Sequence, residues 1–188
     1  MRKSRNRMLI YGFTLLELMI VLGILAIMVT IIAPNVRTIL AKHRIISELN
    51  QLSSLMHLSR AHAIDEQTVV TLCPSADLAT CQFSNRDAPK IAFLDHNNDK
   101  FRDQNEQLVA ALPRVNKGVK TQGPKKAIQF LASGVVGSTA TLTICPITIA
   151  PVLNRALIVS LQGRVRASKD YDQDDIHEVR RGVNVICP

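Results

Sequence analysis

The chain has no tryptophan, two tyrosines and five phenylalanines in 188 residues. With so few rings, platforms for stacking the bases of a single nucleic-acid strand are poor. A glycine-rich phosphate loop, a serine nucleophile elbow and an HExxH pair are all missing, which removes the common signatures of nucleotide, ester and zinc-dependent hydrolytic chemistry. The five histidines do not form a group: His43, His57 and His62 fall in one helical pattern, while His96 and His177 stand apart. No enzymatic role, no cofactor and no small-molecule substrate is expected. CxxC pairs are absent and no histidines cluster near the four cysteines, so a zinc site is not expected either. The most telling absence is one of charge. From Phe13 to Ala33 the sole charged side chain is Glu17, and an apolar run of about 20 residues is long enough to cross a bilayer as a helix.

Four basic residues, Arg2, Lys3, Arg5 and Arg7, precede that run. A positive flank of this kind predicts that residues 1–12 stay cytoplasmic and that everything after Pro34 is exported, in a single pass. A secretory signal peptide is also basic and then apolar, but its small-residue cleavage site follows the apolar stretch. Here the small residue, Gly12, comes before it. A carboxylate at the depth of Glu17 costs at least about 2.5 kcal/mol on insertion scales, so it needs a partner or a function.

The segment Gly12-Phe13-Thr14-Leu15-Leu16-Glu17, continuing as FTLLELMIVLGILAIM, resembles the class III signal of type IV prepilins and type II secretion pseudopilins. The resemblance implies that a prepilin peptidase cuts between Gly12 and Phe13, N-methylates Phe13 and leaves the apolar helix on the mature protein. It makes Glu17 the acidic position used in filament assembly, its partner being the new α-amino group of Phe13 on the same chain or on a neighbour. The bland alternative is that Glu17 snorkels to the interface.

Beyond the apolar run the helical pattern continues. Ile39, Ile46, Leu49, Leu52, Leu55 and Met56 recur at three- and four-residue spacing, with Lys42, Arg44, Glu48, Asn50 and Arg60 between them. That extends the helix to about Ile64, roughly 80 Å from Phe13. Pro34 is expected to kink or locally melt it, and Gly23 to weaken it. From Thr68 onward the pattern changes to short β-rich runs: Thr68 to Leu72, Ile91 to Leu94, Ala127 to Leu131, Ala140 to Cys145 and Ala156 to Leu161, with shorter ones near Leu108 and Val183 to Ile186. A long helix followed only by strands implies an α+β fold, antiparallel sheet against one helix, which the resemblance identifies with the type IV pilin fold. The expected organisation is a leader over 1–12, a transmembrane and filament-core helix over 13–34, its amphipathic continuation over 35–66, and a periplasmic β-rich domain over 67–188.

Export places Cys73, Cys81, Cys145 and Cys187 in an oxidising compartment. Four cysteines allow three pairings, which sequence alone does not choose among. The short loop through Pro74 favours Cys73–Cys81, and Cys145–Cys187 would tie down the chain end. The formal charge of +8 is uneven: residues 114–188 carry eleven basic and five acidic side chains, residues 13–113 eight and ten. Such asymmetry suggests a surface for polyanions.

Two local motifs carry chemistry. Asp95, Asn97, Asp99, Asp103 and Glu106 fall at the first, third, fifth, ninth and twelfth places of a calcium loop, yet Lys100 replaces the glycine of its sharp turn. An Asx-rich turn is the competing reading, and a similar stretch after a strand resembles a feature of GspH/FimT pilins. The second motif is Gly163-Arg164-Val165-Arg166, followed by Ser168 and Lys169. In an extended segment Arg164 and Arg166 point to one side. Both could then hold adjacent phosphates, with Gly163 keeping the backbone clear of a side chain. The pattern resembles the DNA-binding signature of FimT-type minor pilins, which help naturally competent Gram-negative bacteria capture DNA. A solvated edge paired with Asp170, Asp172, Asp174 and Asp175 is the alternative, while Lys117, Lys120, Lys125, Lys126, Arg155, Arg180 and Arg181 would enlarge the patch if folding gathers them.

The resemblance therefore implies a minor pilin of the GspH/FimT/FimU family, most like its DNA-binding members. Such a protein is held in the inner membrane, incorporated into a pilus with other major and minor pilins, and binds double-stranded DNA without sequence preference through its phosphates. The alternative is a structural subunit without DNA binding, either priming pilus assembly or serving as a type II secretion pseudopilin.

Overall fold

The computed structural model describes residues 13–147 and 151–187, with residues 31–35 as backbone alone. The leader and Gly12 lie outside the described residues. By its internal contacts the chain divides into two units, Met1–Leu40 and Ala41–Pro188.

One helix, α1, runs over Leu15–Asp65. It starts where Thr14 can cap it: the Glu17 backbone N–H donates to Thr14 Oγ1 at 3.2 Å, the Thr-x-x-Glu spacing of a capping box. It ends where Gln67 adopts the left-handed conformation (φ 51°) and the Thr68 N–H reaches back to the Ala63 carbonyl at 3.3 Å, a Schellman closure without the usual glycine. Gly23 and Pro34 do not interrupt it. The expected local melting is not seen, because one N–H lost at a proline is a small share of so long a hydrogen-bond ladder.

In the first unit the large apolar side chains from Phe13 to Val29 are exposed, Leu15 at 77% and Met19 at 67%. A helix apolar all round finds its partners in lipid or in other helices. Among the described residues no helix is long and apolar enough to cross a membrane.

In the second unit the helix buries Ile45, Glu48, Leu52, Leu55, Met56, Ser59 and Ala63, the three- and four-residue spacing of a core-facing stripe. Leu52, Leu55 and Met56 are buried as expected and Leu49 packs against the core, so the stripe departs from the expected one only toward its N-terminal end. Ile45 is buried where Ile46 was expected, Ile39 is exposed, and Glu48 lies inside the stripe. The charge of Lys90, itself buried, offsets part of the cost of burying Glu48, although desolvation prevails and raises its carboxyl above the ordinary value.

Among the described residues ten strands follow, all paired antiparallel. β1 (Val70–Pro74), β2 (Lys90–Leu94), β3 (Leu108–Leu112) and β5 (Ile128–Phe130) form one sheet in the order β3-β2-β1-β5. β4 (Val119–Gln122), β6 (Ala140–Pro146), β7 (Arg155–Val159) and β8 (Val165–Ala167) form a second, β4-β6-β7-β8, and β9 (Glu178–Arg180) pairs with β10 (Val183–Asn184). One core joins helix and both sheets, with Leu52, Met56, Val70, Phe130, Ile144 and Leu157 fully or almost fully buried. Each such apolar side chain contributes roughly 1.5–3 kcal/mol. A smaller cluster of Cys73, Ile91 and Phe93 covers the other face of the first sheet, which is why β2 is buried throughout. The expected strands are all present with shifted ends. β4, β8 and β9, Val-Lys-Thr-Gln, Val-Arg-Ala and Glu-Val-Arg, were not among the expected strands, since each is too short to show a period.

Candidate functional site

The β7–β8 hairpin carries Arg164 and Arg166. Its register pairs Ile158 with Arg166 and Val159 with Val165. Val165 packs on the core, so its neighbours two apart, Arg164 and Arg166, share the opposite, exposed face. Among the described residues β8 is an edge strand of its sheet.

The hairpin tip is held hard. Ser160 N–H donates to the Arg164 carbonyl at 3.0 Å, Gly163 N–H to the Ser160 carbonyl at 2.9 Å, and Val136 N–H to the Leu161 carbonyl at 2.9 Å. From the helix, Arg60 Nε donates to the Gly134 carbonyl at 2.8 Å. Gly163 is buried in this contact with φ +72°, and a Cβ there would stand 2.0 Å from the Gly134 oxygen. Its lack of a side chain serves internal packing.

Arg166 Nη2 donates to the Val179 carbonyl at 2.6 Å, which brings β8 against β9 and the exposed Arg180 and Arg181. Lys169, also exposed, stands opposite Glu178 in an isolated bridge. The fold thus adds Arg180 and Arg181 to the patch and leaves others out. Lys120 belongs to β4, the far edge of the sheet, about 14 Å away across three strand spacings. With Arg86 and Lys125 it lines a separate open cleft of about 640 Å³; Arg86 had no sequence signal to mark it. Arg155 folds onto its own backbone, Nη1 donating to the Val152 and Asn154 carbonyls at 2.8 Å each, and burial lowers its pKa.

Acidic groups border the patch. Asp170, Asp172 and Asp174 bring one carboxylate oxygen each within 4.8 Å of the others. Gln173 and Asp175 N–H groups donate to Asp170 at 2.7 and 3.1 Å, and Ile176 N–H to Asp174 at 2.8 Å. Partial desolvation, then the charges of Asp174 and Glu178, push the Asp172 carboxyl above its ordinary value.

The Asp95 loop is tied inward. Buried Asp95 accepts from Thr71 Oγ1 at 2.5 Å and from the Asp99 and Lys100 N–H groups at 3.1 and 3.2 Å. Buried Glu106 accepts from the His96 and Asp103 N–H groups at 2.8 and 3.1 Å. Asn97 Nδ2 bridges Asp99 and Asp103 at 2.9 and 3.2 Å. Lys100 takes the left-handed conformation itself, φ 67°, so the missing glycine does not prevent the sharp turn.

Two disulfides are formed, Cys73–Cys81 and Cys145–Cys187, with Cα separations of 5.5 and 5.9 Å. The second ties the chain end to β6, and the Val185 carbonyl accepts from Asn154 Nδ2 at 3.1 Å.

A long N-terminal helix followed by disulfide-bonded antiparallel sheets, with a basic leader and an apolar run ahead of them, defines the pilin-like class. Residues 7–33 match the prokaryotic N-terminal methylation motif, and residues 48–163 match the family described as type II transport protein GspH. The chain belongs to the GspH family. Its fold is similar to that of the type IV minor pilin FimU of Pseudomonas aeruginosa strain PAO1, at 12% identity over 68% of this chain and 90% of that one, TM-score 0.51. It is similar too to the minor pseudopilin EpsH of the Vibrio cholerae type II secretion system, at 13% identity over 71% and 99%, TM-score 0.51. No curated protein sequence matches it. The chain is a minor pilin or pseudopilin of the GspH kind, and its family is one of structural subunits rather than enzymes.

Proposed function

We propose that this protein is a minor type IV pilin that captures double-stranded DNA at the β8 edge during natural transformation. In this reading prepilin peptidase removes residues 1–12 between Gly12 and Phe13 and methylates Phe13. The helix over 13–34 anchors the subunit in the inner membrane, 35–66 continues it, and 67–188 lies in the periplasm until assembly with other pilins. Glu17 meets the new Phe13 amine there. Its place in the first helical turn supports the pairing, since the backbone N–H groups of that turn favour a carboxylate.

The observation that carries the DNA reading is the exposure of Arg164 and Arg166 on one face of an edge strand, with Arg180 and Arg181 beside them. Arg166 spends one N–H on Val179 and keeps the rest of its guanidinium fork for a phosphate. Contacts of this kind position a duplex without reading its bases, and their affinity falls steeply with salt.

The test is duplex binding by the full chain in detergent at low and physiological salt, beside an Arg164→Ala/Arg166→Ala variant. Salt-sensitive binding lost in the variant is expected. A second reading, a structural subunit of a pilus or secretion pseudopilus, is favoured by the acidic loop next to the arginines. Absence of wild-type binding at low salt would select it.

A further inference from the structure

We propose that the cleft between the loop at Arg86 and strand β4 binds a phosphomonoester borne on a small, hydroxyl-rich molecule such as a sugar phosphate. The cleft measures about 640 Å³, within the range of about 300–1,000 Å³ usual for small-molecule sites. Arg86, Lys120 and Lys125 line it together with one acid, Asp87, a formal surplus of two positive charges. A concave wall of one sign focuses its field on what enters. A phosphomonoester carries about −1.5 to −2 at neutral pH and matches that surplus, whereas a single carboxylate or phosphodiester leaves half of it unmet.

The loop is held through its backbone, which leaves its side chains to the cleft. The Arg86 carbonyl accepts from the Nζ of buried Lys90 at 2.6 Å and from Thr121 Oγ1 at 2.9 Å, and Lys90 Nζ donates also to the Ala88 carbonyl at 2.8 Å. The half-buried Arg86 guanidinium lines the cleft without a hydrogen-bond partner among the described residues. Asp87 is engaged elsewhere: Oδ1 accepts from the Thr121 N–H at 3.1 Å, and its charge acts on Lys90. Lys120 and Gln122 share one face of β4 by alternation, with Thr121 between them buried on the other. The guanidinium fork can hold two phosphate oxygens, and the lysines add point charges. Asn85 and Gln122 also line the cleft, and their amides both donate to and accept from hydroxyl groups. A recess of about 40 Å³ shares Arg86, Thr121 and Gln122 with the cleft and is lined by Leu72, Ile128 and Leu142. It has room for a few waters and none for an acyl chain, which favours a sugar phosphate over a lipid headgroup. A rigid duplex bridges a cleft of this size rather than entering it, so the site is separate from the DNA reading and stands if that reading fails.

The test uses the full chain in detergent at low ionic strength, titrated with glucose 6-phosphate by calorimetry and by phosphorus NMR of the ligand. Saturable binding of one equivalent is expected. Arg86→Gln should weaken it about tenfold and Lys120→Gln/Lys125→Gln about a hundredfold, with the thermal midpoint unchanged because both lysines are exposed. Glucose, which lacks the charge, and dihexanoyl phosphatidic acid, which lacks the hydroxyls, should each bind about tenfold more weakly than the sugar phosphate. Arg164→Ala/Arg166→Ala should leave the affinity as it is. No saturable binding by the wild-type chain would overturn the site, as would binding that survives Lys120→Gln/Lys125→Gln or is lost in Arg164→Ala/Arg166→Ala. Equal or tighter binding of the phosphatidic acid would overturn the sugar phosphate as its ligand.

Discussion

The loops that begin at Asp95 and at Asp170 are nearly the same object locally and have opposite surroundings. Each sets acidic or amide side chains at alternate positions, and each has left-handed residues in the fourth and sixth places, Asn98 and Lys100 in one, Gln173 and Asp175 in the other. In each, backbone N–H groups close on the first aspartate. Yet Asp95 and Glu106 are buried and bonded into the first sheet, while Asp172 and Asp174 face solvent beside the second. A short pattern of side chains dictates the turn, and the tertiary position decides whether its carboxylates are structural or free.

The largest expected effect follows from the inward loop. Asp95→Ala leaves Thr71 and Lys100 without their acceptor and the Asp99 N–H with Asn97 alone. Charge-assisted hydrogen bonds are worth about 1.5–3 kcal/mol each and do not add fully, so a loss of about 4 kcal/mol is expected by denaturant unfolding. Asp170→Ala, in the outward loop, should cost about 1 kcal/mol. Equal losses would erase the distinction.

Next is Gly163→Ala, which meets both the clash with the Gly134 oxygen and a left-handed backbone. About 3 kcal/mol is expected from strain and overpacking together. Gly182→Ala shares the conformation (φ +75°) but has open space, and should cost about 1 kcal/mol. The difference between them, read as thermal unfolding, isolates the hairpin packing.

Acids turned inward and outward should also respond to pH with opposite sign. Burial raises Glu48 above its ordinary 4.5. Its stabilisation is therefore complete below that value and is lost as pH rises through the folded pKa. Hydrogen bonds from Thr80 and then Ala79 hold Asp77 below its ordinary 3.8, so its contribution is present above that value and is lost as pH falls. Stability curves should show wild type losing ground to Glu48→Gln as pH rises from acid to neutral, and gaining on Asp77→Asn. A common sign would refute the assignment. The smallest effect should be that of Arg164→Ala/Arg166→Ala on stability, within about 0.5 kcal/mol for exposed positions; a larger loss would mean that the Arg166–Val179 bond holds β8 to β9.

Much of this was readable along the chain. The helix shows in its spacing, and the β character of the rest in short β-rich runs. Helix signals failed only where tertiary contacts intervene: Glu48 joins the buried stripe because Lys90 lies nearby, a pairing between residues far apart in sequence. β4, β8 and β9 were not legible as strands because three or four residues hold too little periodicity. The basic patch was legible at Arg164 and Arg166 alone. Whether Lys120 or Arg180 joins them depends on sheet order, which no local pattern encodes.

The sequence by itself determined the long helix, the methylation signal at its start, the α+β class and the two-residue alternation of the arginines, because these rest on local periodicity and charge. Tertiary structure alone decided that Gly163 packs against Gly134, that Lys120 and Arg86 line another cleft, and that Glu178 is buried while Asp172 and Asp174 face solvent. Those outcomes depend on which strands become neighbours, and strand neighbours are chosen by the burial of the whole core rather than by any segment within it.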